Sequence, residues 1–412
     1  MIRVLINAYA CSPNMGSEPG MAWNWIINLA QYCQLHVITE GEFKGQIEEA
    51  MEKLPVAQNI RFYYNPLSPN IREMCWNQGD WRFYYYYRKW QKRTLSIAKR
   101  IIEEESIDIV HQLNMIGFRE PGFLWQLNGQ PFIWGPIDAK ERFPLNYLNG
   151  TDFRTAMTIR LKNNFNYLQL KISGRVKQAV AQASYVVAAS TDSQVTIEKY
   201  YGKKPILINE TGCYVKEKSE FVDKTTKETF DILWVGKFDF RKQLGLAIQI
   251  IGALKNPRVK FHIIGDDQNM EGARYKKVAE KLNVEDVCIW HGKVPHERVQ
   301  EIMRSCDLFL FTSVAEGTPH VVLESIGNNL PVVCFDTCGQ GDVVNENIGI
   351  KVPLSHPSQS VNDFVEKISY LITNRRKLTE LSENCFLRQH ELSWDKKSKQ
   401  MLSLYQKAIA KN

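Results

Sequence analysis

Glu316 and Glu324 stand eight positions apart in the stretch Glu316-Gly-Thr-Pro-His-Val-Val-Leu-Glu324, and between them lies a helix start with no acidic residue in its first turn. Thr318 takes the N-cap position and Pro319 the first helical one. Unpaired N–H groups and the positive end of the helix dipole attract an anion at such an end, while each carboxylate accepts hydrogen bonds from sugar or ribose hydroxyls. A sugar nucleotide asks for both. An ordinary strand-to-helix connection carries the same cap, so the rest of the chain has to supply the remaining chemistry.

Cations come from Trp234-Val-Gly236-Lys-Phe-Asp-Phe-Arg241-Lys242, a strand that ends in glycine and runs into a basic loop. Lys237, Arg241 and Lys242 neutralise a diphosphate in such a loop, and Arg241 grips it with a bidentate fork. Gly265, after the strand Phe261-His-Ile-Ile, stands where doubly wound domains bring backbone close to a nucleotide. His291-Gly292-Lys293 follows the next strand and offers backbone groups to a base edge. In the first half, Gly16-Ser17-Glu18-Pro19-Gly20 joins the first strand to a helix expected near Met21, with Ser17 as its cap. The glycines there suit close approach by a phosphate or an acceptor group, although the turn is neither a Walker loop nor the dinucleotide fingerprint. His111 closes the strand Asp108-Ile-Val-His111, where a histidine at the carboxyl edge faces a cleft; a satisfied structural histidine fits the same pattern.

These residues need a scaffold, and the alternation of short apolar runs with helical patterns predicts parallel sheets flanked by helices. Strands are expected at Ile2–Ala8, His36–Thr39, Ile107–His111, Pro131–Trp134 and Tyr185–Ala189. After about residue 205 a second series follows at Phe230–Val235, Val259–Ile264, Val287–Trp290, Leu308–Thr312 and Pro331–Phe335. The polar stretch Lys216–Glu228 reads as a linker, and Trp394–Ala410 as an amphipathic helix. The expected fold is α/β: two doubly wound, Rossmann-like domains facing each other across a cleft, with ligand at the carboxyl ends of the strands. Residues 1–205 make the first, acceptor-side domain, 206–393 the second, nucleotide-sugar-binding one, and the segment 394–412 packs back on the first.

A chain of 412 residues exceeds one ordinary core, and 44% hydrophobic residues suffice to fill two. Its net charge of +7 and pI of about 8.8 favour anionic phosphates or an anionic membrane surface as partners. Nine cysteines without a paired CxxC spacing read as reduced structural thiols rather than a zinc site. The N-terminus reads as a strand rather than a signal peptide, and no apolar run reaches the roughly 18 residues of a membrane span, which implies a cytoplasmic protein and leaves attachment to the inner face of a membrane open. Two segments bear on that surface. Residues 76–93 interleave rings and cations, and residues 151–177 set six basic residues against one acidic, with Met157, Leu161, Leu168 and Ile172 among them.

Taken in order and at these spacings, the segments resemble the family 4 retaining glycosyltransferases of GT-B fold, the group 1 type. The resemblance rests on Gly16-Ser-Glu-Pro-Gly20, Gly236-Lys237 with Arg241-Lys242, Gly265, His291-Gly292, and above all Glu316-x7-Glu324 followed by Gly-x-x-Leu-Pro331-Val-Val. It implies transfer of a hexose from a nucleotide diphosphate sugar of UDP or GDP type, with retention, to a glycan or lipid-linked oligosaccharide in bacterial surface polysaccharide synthesis. It places Glu316 on the transferred sugar, Glu324 on the ribose, and Arg241 with Lys242, or Lys237 with Lys242, on the diphosphate. Backbone amides of Thr318, Pro319, His320 and Val321 border the phosphates and sugar, although proline itself brings no N–H. Relatives often carry His-x-His at the position of His111; here the second histidine is Leu113. Without an Asp-x-Asp motif no metal is expected, and neither is any other cofactor or nucleic acid. The competing readings are a sugar-nucleotide epimerase of the same fold, with His111, Asp138 or Glu141 as acid and base, and a noncatalytic basic surface-binding protein.

Overall fold

The computed structural model describes residues 1–412 except 77–81, 141, 149, 217–226, 266 and 268–270, and leaves aside the side chains of Cys75 and Trp76. Most of the expected linker, part of the aromatic-basic segment and Glu141 therefore lie outside the described residues. The chain divides into two units: residues 1–141, 165–211 and 394–412 form the first, and 142–164 with 212–393 the second. The expected change of domain at 205/206 falls before this division, because Ile208 still packs in the first core while Tyr147, far upstream, packs in the second.

The first unit holds a parallel sheet of β1 (Ile2–Ala8), β2 (Cys33–Thr39), β3 (Ile60–Tyr64), β4 (Ile109–Asn114), β5 (Phe132–Ile137), β6 (Tyr185–Ala188) and β7 (Ile206–Leu207), in the order β3-β2-β1-β4-β5-β6-β7. The second holds β8 (Phe230–Val235), β9 (Val259–Ile264), β10 (Cys288–Gly292), β11 (Leu308–Phe311), β12 (Val332–Phe335) and β13 (Gly349–Val352), in the order β10-β9-β8-β11-β12-β13. Central strands such as β4, β5, β11 and β12 are buried along their whole length, which is why they read as unbroken apolar runs. In each sheet the strand order reverses beside the first strand, at β1/β4 and at β8/β11, so the crevice a doubly wound sheet offers a ligand lies there.

Helices close both faces. In the first unit the helix Ser17–Leu29 buries Trp25, Ile26 and Leu29 against the sheet and against the final helix Trp394–Ala410, with the Trp25 and Trp394 rings edge to face at 5.5 Å. Trp25 Nε1 donates to the Glu210 carbonyl at 2.8 Å, so this ring carries its polar atom into the core satisfied. In the second unit Leu244–Leu254 lays Leu246, Ile250 and Ile251 on β8 and β9, where Phe230, Trp234 and Phe261 receive them.

Several expected boundaries move. Strand β3 was not expected because Arg61 and three half-exposed aromatics make it an edge strand, and β13 is too short to stand out. Strand β4 runs three residues beyond His111: its polar end, Gln112 and Asn114, is buried, with Gln112 Oε1 accepting from Asn7 Nδ2 at 2.8 Å and Asn114 Nδ2 donating to the Ala10 carbonyl at 2.8 Å. The first helix begins at Ser17 rather than near Met21, with Gly16 as its cap residue and no side-chain cap bond.

Candidate active site

Four loops meet at the carboxyl ends of the second sheet, and glycines let them meet. Gly236, just past β8, donates to the Ile264 carbonyl at 3.0 Å, and Gly265, just past β9, donates to Gly292 at the end of β10 at 3.0 Å. A Cβ on Gly265 would fall 2.4 Å from the Gly236 carbonyl oxygen and 2.4 Å from the Phe238 ring. Glycine is therefore required at 265 by packing.

The loop after β8 is stitched to the loop after β11 across the strand reversal. Thr312 Oγ1 donates to the Lys242 carbonyl at 2.8 Å, and the Val314 amide to the Arg241 carbonyl at 3.0 Å. That stitching places Lys242 Nζ 2.7 Å from Glu316 Oε1, which also accepts from Ser313 Oγ at 2.5 Å. Lys242 Nζ lies 5.3 Å from the centre of the Phe311 ring, whose face adds to its hold on the ammonium. Arg241 is half exposed and forks onto Asp239, with Nη2 to Oδ2 at 2.7 Å. Burial raises the Asp239 carboxyl, but the Arg241 hydrogen bond and charge overcome it and hold the group below the usual carboxylate range. Lys237 is exposed beside them.

The helix between the two glutamates begins one residue later than expected. It spans His320–Gly327, and its cap residue is Pro319 rather than Thr318, because Pro319 at ψ 117° is still extended. Thr318 is instead buried under Gly339, whose amide donates to the Gly317 carbonyl at 2.9 Å and whose missing Cβ would sit 2.6 Å from Thr318 Cα. The first helical turn opens at His320, and the Val322 amide already donates to the Pro319 carbonyl at 3.1 Å. His320 has its pKa depressed by burial, so its neutral form is favoured. Glu324, one turn on, is a third exposed, with Oε1 3.4 Å from His296 Nε2 and Oε2 accepting from Gln300 at 3.5 Å.

His291 belongs to a chain that the sequence reading missed. Its ring stacks on His262 at 5.3 Å with Nε2 3.0 Å from His262 Nδ1, and His262 Nε2 reaches Asp231 Oδ1 at 3.0 Å. Burial, then the charges of His262 and Arg298, lower the His291 pKa. Asp231 and His262 were detectable as polar breaks in otherwise apolar strands.

The first-half candidates sit elsewhere. His111 is in the middle of β4, not at its edge, and fully buried; Nδ1 is 2.7 Å from Tyr405 Oη and Nε2 2.6 Å from the Gly135 carbonyl, so both nitrogens are occupied. Burial drives its pKa down to about 4. Gly16 caps the first helix with open space where a side chain would stand, whereas Gly20 is held by packing, a Cβ there falling 2.0 Å from the Met15 carbonyl. Among the described residues no three His, Cys, Asp or Glu side chains gather as a metal cluster, and no helix is long and apolar enough to cross a membrane. The eight cysteines whose side chains are described are buried thiols outside any disulfide.

Known proteins give this arrangement its setting. Residues 215–388 match the family model for glycosyl transferases group 1. An uncharacterized glycosyltransferase of Methanocaldococcus jannaschii is 25% identical over 73% of this chain and 75% of its own length. The lipopolysaccharide 1,6-galactosyltransferase of Salmonella typhimurium is 27% identical over 35% of this chain, which spans 40% of that relative. The structure of Anabaena HepE in complex with UDP superposes with a TM-score of 0.62 over 98% of this chain and 99% of that one at 15% identity, a likeness of fold. The stretch 215–388 is thus similar to glycosyl transferases group 1, and the chain has the GT-B fold.

Proposed function

We propose that this chain transfers a hexose from a nucleoside diphosphate sugar to a glycan or lipid-linked acceptor, with retention at the anomeric carbon, in the synthesis of a bacterial surface polysaccharide. The observation that carries the reading is the Lys242–Glu316 contact of 2.7 Å at the β8/β11 reversal, inside the stretch that matches the family. A cation and a carboxylate held together near a helix start suit a ligand that brings both phosphates and hydroxyls.

Donor binding exchanges partners. The diphosphate takes Lys242 and Arg241, and Glu316, relieved of its lysine, accepts hydrogen bonds from the hexose hydroxyls. Glu324 accepts from the ribose, and the amides of the first helical turn border the phosphates. Lys242 and Arg241 then stabilise the charge that grows on the leaving diphosphate as the glycosidic bond breaks, without a metal ion. The acceptor hydroxyl enters on the face the diphosphate leaves, and its proton passes to the departing phosphate. UDP in the HepE structure supports a uridine donor, and the Salmonella galactosyltransferase supports a cell-surface acceptor.

Hydrolysis and transfer from UDP-glucose, UDP-galactose and GDP-mannose test the reading, with the anomeric configuration followed by NMR. One donor should turn over with retention, and Glu316→Gln should abolish that turnover while UDP still binds. Unchanged turnover in Glu316→Gln would overturn the assignment.

A further inference from the structure

The first unit carries two joined cavities that the donor chemistry leaves unused. One, of about 300 Å³, opens at the carboxyl ends of β4 and β5 beside the start of the helix Ser17–Leu29, the β1/β4 reversal of this sheet. The loops after β4 and β5 are pinned together, Asp138 N donating to the Ile116 carbonyl at 2.8 Å and Phe118 N to the Asp138 carbonyl at 3.2 Å. Two carboxyls stand in its wall. Glu18 Oε1 accepts from the Ile116 amide at 3.3 Å and Asp138 Oδ1 from Ser193 Oγ at 2.9 Å, and among the described residues neither second oxygen has a protein partner. Phe83, Tyr84 and Tyr87 supply an aromatic wall; Tyr87 Oη already accepts from the Met115 amide at 3.2 Å and Gln91 Nε2 at 2.7 Å, which leaves its own proton to give.

The second cavity, of about 250 Å³, shares Tyr84, Phe118, Arg119 and Glu120 with the first and is basic. Arg88 and Arg175 both reach Glu120, at 2.5 and 2.8 Å, so one carboxylate answers two guanidiniums. Arg175 Nε is buried without any hydrogen-bond partner. Among the described residues Arg119 hydrogen-bonds to the neutral amides of Gln169, at 3.0 Å, and Asn166. The groove therefore keeps an excess of positive charge and an unused buried donor, as an anion site requires.

We propose that the joined cavities are an acceptor subsite for a phosphorylated sugar, with sugar hydroxyls on Glu18 and Asp138 and the phosphate on Arg119, Arg88 and Arg175. The cavity sizes fit: 300 Å³ is at the scale of a small-ligand site, and aromatic walls stack on the apolar face of a pyranose. Burial lifts the Glu18 carboxyl to about 7, with the Asp138 charge adding to it, as befits a carboxyl kept from water until a hydroxyl arrives. The assignment rests on the glycosyltransferase reading, since it names the acceptor of that reaction. The same chemistry is offered by a soluble sugar phosphate and by a sugar carried on a lipid diphosphate.

Calorimetry on the full chain without donor separates these. The probes are glucose, glucose 6-phosphate and N-acetylglucosaminyl diphosphocitronellol in detergent, with UDP titrated in parallel. At least one phosphorylated probe should bind about tenfold or more tighter than glucose. Tighter binding of glucose 6-phosphate assigns a soluble acceptor, and tighter binding of the citronellol compound a lipid-linked one. Arg119→Ala and Glu18→Gln should each weaken that binding about tenfold with the UDP affinity unchanged, and Arg119→Lys should restore part of it, which a merely structural arginine would not permit. Binding of glucose as tight as that of both phosphorylated probes, no binding of either at millimolar concentration, or full affinity in Arg119→Ala would overturn the proposal. Failure of UDP to bind would strike the donor reading instead.

Discussion

At the carboxyl ends of β8 and β11 the charged side chains meet one another, Lys242 on Glu316 and Arg241 on Asp239, in partly exposed ion pairs. At the carboxyl ends of β1, β4 and β5 they are set into cavity walls, where Glu18 is held near neutral by burial and Arg175 keeps an unpaired buried nitrogen. Both sheets use the same device, a reversal of strand order, yet one pairs each cation with its own carboxylate and the other sets three guanidiniums around the single carboxylate of Glu120. Paired groups are ready to trade partners with a ligand that is itself a multiple anion. Polar groups in a cavity wall whose hydrogen-bonding capacity is only partly used favour a ligand that fills the remainder, and reject one that cannot.

The strongest way to break the comparison is to remove the trading cation. Lys242→Ala should lower turnover by about 10²–10³-fold, the scale of losing one preorganised donor to a developing negative charge. Steady-state kinetics should show the loss mainly in kcat, because the lysine's hold tightens as the diphosphate leaves. A loss confined to KM would make Lys242 a binding group and weaken the contrast between the units.

The first unit can be probed through His111, whose cavity-free burial is the opposite of Lys242's exposure. In the unfolded chain a histidine charges near pH 6.5, but in the folded protein His111 charges only near pH 4. Between those values the unfolded state binds the extra proton, so the contribution is intact above pH 6.5 and is lost as the pH falls to 4. The interval corresponds to about 3 kcal/mol. Glu18 works in the other sense, its raised pKa costing stability as the pH climbs toward 7. Denaturant midpoints of the parent and of His111→Gln should therefore converge as the pH drops from 6.5 to 4. Parallel curves would mean that His111 charges freely in the folded chain.

Close packing of the loops offers a matched pair. Gly265→Ala and Gly20→Ala each push a Cβ onto backbone carbonyl oxygen, at 2.4 and 2.0 Å, and each should cost about 1–3 kcal/mol by denaturant unfolding. Gly265→Ala should also lower UDP affinity, since it displaces Gly236 and Phe238 beside the basic loop, whereas Gly20→Ala should leave UDP affinity unchanged. Equal loss of UDP affinity in both would erase the distinction between the units.

Legibility in the sequence followed the same line. The places of Glu316, Glu324, Arg241 and Lys242, past β8 and β11, could be read because each lies on a contiguous stretch whose flanks, a strand ending and a helix start, declare its position. The grouping of the side chains that line the first unit's cavities could not, because their partners arrive from far away: Glu18 meets the amide of Ile116 98 residues on, and Arg119 meets Gln169 50 residues on. His111 misled because Gln-Leu-Asn after it looks like a loop, while Gln112 and Asn114 continue the strand with hydrogen bonds to Asn7 and Ala10. The parallel strands of both sheets read well wherever they were buried on two faces, and failed where an edge strand such as β3 mixed arginine with half-exposed rings.

Glu324 gives the smallest effect and the sharpest discrimination. Its present partners are loose, His296 at 3.4 Å and Gln300 at 3.5 Å, and a third of its surface is open, so Glu324→Gln should alter stability by no more than about 0.5 kcal/mol. A carboxylate that accepts from ribose hydroxyls, by contrast, forms charge-assisted bonds that an amide cannot match, and UDP should bind the variant about tenfold more weakly. The same substitution should be nearly silent toward 2′,3′-dideoxy-UDP, which has no hydroxyls for Glu324 to accept from. That difference of differences isolates one contact. Equal weakening of both nucleotides would mean that Glu324 acts through the helix His320–Gly327 rather than on the ribose, and the donor side would then resemble the acceptor side in relying on wall charge.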